Sequence, residues 1–75
     1  MTIVYTAKEK LEVITFKIRQ TREFKNYSQK YLATKLNISQ NAYSKIELGQ
    51  TSLTVERLLI IAQILDINII ELVAA

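Results

Sequence analysis

Gln40, Asn41, Ser44 and Lys45 fall at i, i+1, i+4 and i+5, the spacing that puts four side chains on one side of a helix. Each amide carries a donor and an acceptor together, which suits bidentate contact with the edge of adenine. The ammonium donates to guanine O6 and N7 or to a phosphate oxygen. The chemistry on offer is therefore recognition of base edges, with no bond made or broken. It needs a rigid rod narrow enough for a major groove about 12 Å wide, with its first turn leading. No acid stands on that face to repel a polyanion.

The residues around these four supply such a rod and fix its register. Ser39 precedes Gln40 and can cap the helix by accepting from an orphan backbone N–H. Tyr43 and Ile46 are placed to face inward, and Gly49, the only glycine in the chain, arrives where the helix must stop. A shorter helix is expected just upstream, capped by Ser28 and striped by Leu32 and Leu36, with small Ala33 allowing close approach of a neighbour. Asn37 sits where a left-handed residue ends that helix, and Ile38 plugs the turn. The spacing thus predicts helices over residues 28–36 and 39–48 joined by a tight turn.

Flanking elements follow from periodicity and caps. A first helix is predicted over residues 8–25, with Leu11, Ile14 and Ile18 on its inner stripe. Thr54 can cap a fourth helix whose stripe reads Val55, Leu58, Leu59, Ala62 and Leu65, and Asn68 a short fifth through Ile69, Ile70, Leu72 and Val73. Residues 2–6 are β-branched and aromatic, and residues 1–10 are assigned to an N-terminal arm or short strand. Residues 11–75 form the helical domain, an all-α, compact five-helix bundle.

Composition narrows the function classes. Seventy-five residues make one small domain, and 49% hydrophobic content is enough to fill its core. Without cysteine or histidine there is no thiolate, imidazole or metal-ligand cluster, and the scattered carboxylates form no close pair, so neither an enzyme, a metal site nor a cofactor is expected. No apolar run is long enough for a bilayer and no signal-peptide pattern opens the chain, so a cytoplasmic protein without a membrane partner is expected. The net charge of +3 is unevenly spread. Residues 17–50 hold Lys17, Arg19, Arg22, Lys25, Lys30, Lys35 and Lys45 against Glu23 and Glu47, whereas residues 51–75 set Arg57 against Glu56, Asp66 and Glu71. The positive field is concentrated around the four polar side chains, as a polyanionic partner requires.

Residues 14–73, about four-fifths of the chain, resemble the Cro/repressor-type helix-turn-helix family, also called the xenobiotic-response-element or lambda-repressor-like family. The resemblance is carried by Arg22, by Ser28-Gln29, by Leu32-Ala33, by Leu36-Asn37-Ile38-Ser39 and by Ile46-Glu47-Leu48-Gly49. It implies a sequence-specific DNA-binding transcriptional regulator, most simply a repressor, reading a roughly palindromic operator in double-stranded DNA with the third helix in the major groove. It further implies base or nearby backbone contacts from Gln40, Asn41, Ser44 and Lys45, and backbone contacts from Ser39 and Gln29. Gln29 would also brace the first residue of the recognition helix. Arg22 and Glu47 match a partly buried structural ion pair. Lys17, Lys25, Lys30 and Lys35 add positive charge for the phosphates.

The chain departs from the pattern in places. Thr21 stands at a usually aliphatic site, no proline follows Gly49, and Leu48 and Gln50 replace commonly polar or basic residues. The last two changes remove phosphate contacts and make tight binding by one copy harder. The C-terminal third meanwhile holds Ile60, Ile64, Ile67, Ile70 and Val73, more aliphatic surface than a small bundle readily buries, and a homodimer through the last two helices is expected. The alternative is a protein-interaction module of the same fold, such as an antitoxin that grips a toxin.

Overall fold

Five helices make up most of residues 5–74, the part of the chain that the computed structural model describes: α1 (Ala7–Phe24), α2 (Gln29–Leu36), α3 (Gln40–Glu47), α4 (Val55–Leu65) and α5 (Ile69–Val73). Every one opens on a short side chain that accepts from an orphan first-turn N–H: Thr6, Ser28, Ser39, Thr54 and Asn68. At the first of these the bond is reciprocal, with Thr6 Oγ1 accepting from Glu9 N at 3.1 Å and Glu9 Oε1 accepting from Thr6 N at 3.1 Å. That capping box starts α1 at Ala7, so residues 8–10 are helical rather than part of an arm. Residues 2–4 of the expected strand lie outside the described residues, and Tyr5 and Thr6 belong to no strand.

Left-handed residues close the first four helices. Asn37 (φ 58°) ends α2 and Asp66 (φ 54°) ends α4, while Asn26 (φ 59°) follows α1 and Gly49 (φ 70°) follows α3. In each turn the next N–H reaches back to an otherwise orphan carbonyl, as Ile38 N does to Ala33 O at 3.0 Å and Gln50 N to Lys45 O at 2.9 Å. A Cβ on Gly49 would meet only Thr15 Oγ1, at 3.9 Å, so glycine is needed there for its dihedral and not for room.

The core is one cluster, with Ile18, Leu32, Tyr43, Ile61, Leu65 and Leu72 fully buried. Of the helix-turn-helix pair, α3 packs on α1 and α2 on α4; α5 touches α1 and α4 but neither α2 nor α3. This divides the domain into an end built around α2 and α3 and an opposite end that carries α5. On α1 Ile18 is buried while Leu11 and Ile14 are half-buried, and the remaining core position belongs to Thr15. Its hydroxyl is masked by donating to Glu12 O at 3.1 Å, which removes the penalty of burying it.

The α4 stripe differs from the sequence expectation. Leu58, Ile61, Ala62 and Leu65 face the core at i, i+3, i+4 and i+7, whereas Val55 is 74% and Leu59 45% exposed. In contact with α1, α2 and α5, α4 turns its broader i, i+3, i+4 face inward. Ile64 and Ile67 also pack, half-buried, against the cluster. The aliphatic excess assigned to a dimer contact is therefore partly absorbed by the core, which leaves Ile60, Ile70 and Val73 as its exposed members.

Truncation separates the two registers. Ile61→Ala is expected to cost about 2–5 kcal/mol and Leu59→Ala less than about 1 kcal/mol, measured as urea-unfolding free energies. Equal costs would contradict the observed packing of α4.

Candidate nucleic-acid interface

The orientation of α3 is set from beneath by a buried polar cluster. Arg22, in the last turn of α1, uses three donors at once. Nε donates to Glu47 Oε2 at 2.6 Å, Nη2 to Glu47 Oε1 at 3.2 Å, and Nη1 to Tyr27 O at 2.8 Å. One planar guanidinium thus ties α1 to the α1–α2 turn and to the end of α3 in fork geometry. Glu47 receives two further bonds, from Tyr43 Oη at 2.5 Å and Gln29 Nε2 at 3.2 Å. Its side chain is 2% exposed and that of Arg22 11%. Every buried side-chain nitrogen and oxygen among the described residues has a partner.

Such burial works to raise the Glu47 pKa, but the hydrogen bonds from Arg22, Tyr43 and Gln29 and the Arg22 charge outweigh it. The carboxyl is held below its ordinary value of 4.5. The Tyr43 hydroxyl is pushed the other way, chiefly by burial and then by its bond to Glu47, so it stays protonated and donating. Periodicity puts Tyr43 inward without giving its hydroxyl a partner. The signal was present, because Tyr43 and Glu47 lie at i, i+4 on one face.

With Tyr43, Ile46 and Glu47 turned inward, the opposite side of α3 is left to solvent. Gln40, Asn41 and Lys45 are exposed there and Ser44 is half-buried beside them. The structure brings these four together on one face of α3. Ser39 Oγ accepts from Ala42 N at 3.0 Å, so its hydroxyl caps the helix beside that face. The first turn of α3 contains no acid, which leaves its partial positive end unopposed.

The remaining residues expected near the backbone are spread over the domain. Gln29 sends Nε2 to Glu47, seven residues along α3 from Gln40, and no hydrogen bond joins Gln29 to Gln40 among the described residues. A buried carboxylate is the stronger acceptor and holds the amide. Lys17 is drawn to the opposite end of the domain, where its ammonium donates to Glu71 O at 3.3 Å and to Ala74 O, a cation at the C-terminus of α5. Lys25 is the half-buried C-cap of α1 and Lys30 is exposed on α2. The Lys35 ammonium lies 5.5 Å from the centroid of the Tyr31 ring, which in turn packs at 4.6 Å on Tyr27.

The cluster makes stability depend on pH in a definite direction. A carboxylate with a depressed folded-state pKa contributes fully above about 4.5, its unfolded value, and that contribution disappears as pH falls through the lowered folded value. Unfolding free energy should therefore drop on acidification below pH 4.5, and Glu47→Gln should flatten that part of the profile. At neutral pH the same variant strands the Arg22 charge and is expected to cost about 3–5 kcal/mol in urea unfolding. A variant with wild-type stability and an unchanged acid slope would show that the pair is not what pins α3.

A helix-turn-helix family model matches residues 18–72, from the second half of α1 into α5. No curated protein and no solved structure matched the chain. The matched segment contains the capped turn, the Arg22–Glu47 cluster and the whole exposed face of α3. The chain belongs to the xenobiotic-response-element, or lambda-repressor-like, helix-turn-helix family of DNA-binding regulators.

Proposed function

We propose that the protein is a sequence-specific transcriptional repressor that binds a roughly palindromic operator as two copies. The reading is carried by the acid-free face of α3, where Gln40, Asn41 and Lys45 project from a helix whose other side is pinned by a buried ion pair. A rod fixed in this way presents its amides in one geometry, which hydrogen-bond matching to base edges requires. Gln40 and Asn41 occupy the first turn, the part that enters the groove, and each amide pairs with adenine N6 and N7. Lys45 lies a turn further on and donates to a guanine edge or a phosphate. Ser44, half-buried beside them, gives a shorter contact, and Ser39 meets a phosphate at the helix start.

Two observations support the need for a second copy. Leu48, 61% exposed, and Gln50 put no charge beside the recognition helix, so a single domain neutralises few phosphates. Lys17 is also engaged at α5, far from the reading end. Two copies place their third helices in successive major grooves about 34 Å apart, doubling both the phosphate contacts and the sequence read. Occupying the operator is enough to exclude polymerase, and repression needs no further surface. Lys25 and Lys30 then serve the phosphate backbone on either side.

Selection of bound sequences from a random duplex pool tests the assignment. An enriched motif with twofold symmetry is expected. Gln40→Ala should weaken binding to it by about 1–3 kcal/mol and relax preference at one base pair, while the affinity of both proteins falls steeply with added salt. No enriched sequence in dilute buffer, together with firm capture of a protein ligand such as a toxin, would replace this reading with that of a protein-interaction module.

A further inference from the structure

One side chain on the exposed face of α3 does not share its polar chemistry. Leu48 N donates to Ser44 O at 3.0 Å, and its dihedrals (φ −81°, ψ −5°) keep the helical turn going as far as this residue. At about 100° per residue counted from Gln40, Ser44 falls at about 40°, Asn41 at about 100° and Lys45 at about 140°. Leu48 falls at about 80°, in the middle of that fan. The core side of the helix, with Tyr43, Ile46 and Glu47, occupies the arc from about 240° to about 340°. Leu48 is therefore turned away from the core, and 61% of it is left to solvent. Gly49 (φ 70°) ends the helix directly after it.

We infer that Leu48 reads the C5-methyl group of a thymine, adding an apolar contact to those of Gln40, Asn41, Ser44 and Lys45. This rests on the DNA reading above and names a further specificity residue within it. Leucine has neither donor nor acceptor, so against a phosphate or a polar base edge it would strip water from that group and return nothing. The major-groove edges of duplex DNA consist of donors and acceptors with one apolar exception, the thymine methyl. An aliphatic side chain in the middle of a groove-facing surface has that one complementary target. Burying a methyl group against it corresponds to about a fourfold gain in affinity.

Height on the helix separates this contact from that of Gln40. Eight residues place Leu48 about 12 Å along α3 from Gln40, whereas Ser44 and Lys45 lie within about 6 Å of it along the axis. The thymine therefore neighbours the base or phosphate met by Lys45 and is distinct from the adenine met by Gln40. Neither Gly49 nor Gln50 carries a charge that would hold the end of α3 out against a phosphate strand. Leu48 is also no extension of the apolar surface at Ile70 and Val73, since α5 touches neither α2 nor α3.

Titration of the full chain against its selected motif, with each thymine replaced singly by deoxyuridine, tests the inference. That exchange removes the methyl group and leaves every hydrogen-bonding edge in place. In the wild type, deoxyuridine at one thymine of each half-site should weaken binding about three- to fivefold. Leu48→Ala should bind the all-thymine motif more weakly by a similar factor and be indifferent to deoxyuridine at that position. Its helical circular dichroism should match the wild type, because the side chain is exposed. Gln40→Ala should stay as sensitive to the exchange as the wild type. A motif without thymine, a wild type insensitive to deoxyuridine at every position, or a Leu48→Ala protein that keeps full sensitivity would overturn the inference and leave the DNA reading of α3 standing. Failure of the random pool to yield any motif strikes the DNA reading itself, and the role of Leu48 with it.

Discussion

A single carboxylate organises the reading end of this domain. Glu47 accepts from Arg22, Tyr43 and Gln29, and so joins the last turn of α1, the body and end of α3, and the first residue of α2. Three helices converge on two oxygen atoms. A buried charge is unfavourable alone, but here each partner is a donor and the guanidinium meets it in a fork, so geometry is fixed as well as charge. A recognition helix has only a few polar side chains with which to distinguish bases, and their positions are no better than the rotation of the rod that carries them. Gln40 and Asn41 point out because Tyr43, Ile46 and Glu47 are held in.

The caps do comparable work at lower cost. A domain of this size has a small core and cannot rely on long helices, so the ends must be satisfied locally. Two helices of eight residues, α2 and α3, would be marginal in isolation. They persist because Ser28 and Ser39 satisfy their first turns, Asn37 and Gly49 reverse the chain after them, and Leu32, Tyr43 and Ile46 are buried between neighbours. Local hydrogen bonding and tertiary burial thus agree in the helix-turn-helix segment, and such agreement makes a short segment well defined.

That agreement also explains what could be read in advance. Positions where a residue type has one physical use, Ser or Thr before a helix and Asn or Gly after it, gave helix ends within a residue or two. The inward register of α3 followed from Tyr43, Ile46 and the glycine that ends the helix. Reading failed where the residue type is compatible with either side. Thr15 is a core residue because its hydroxyl folds back on Glu12, which no pattern announces. Ile61 and Leu59 are equally apolar, and only the packing of α4 on α1, α2 and α5 decides which is buried. Gln29 offered its amide to several acceptors, and the choice of Glu47 depends on a carboxylate 18 residues away.

The most direct measurement is the base preference of Arg22→Lys, compared with wild type by selection from random duplexes at a temperature where both show the same helical signal. Lysine keeps the positive charge but cannot bind Glu47 and the Tyr27 carbonyl in one planar fork. The predicted result is a protein that still associates with DNA in dilute salt yet has lost most of its discrimination among sequences. An Arg22→Lys protein that recovers the wild-type motif with undiminished preference would contradict the claim that this buried pair sets the reading helix.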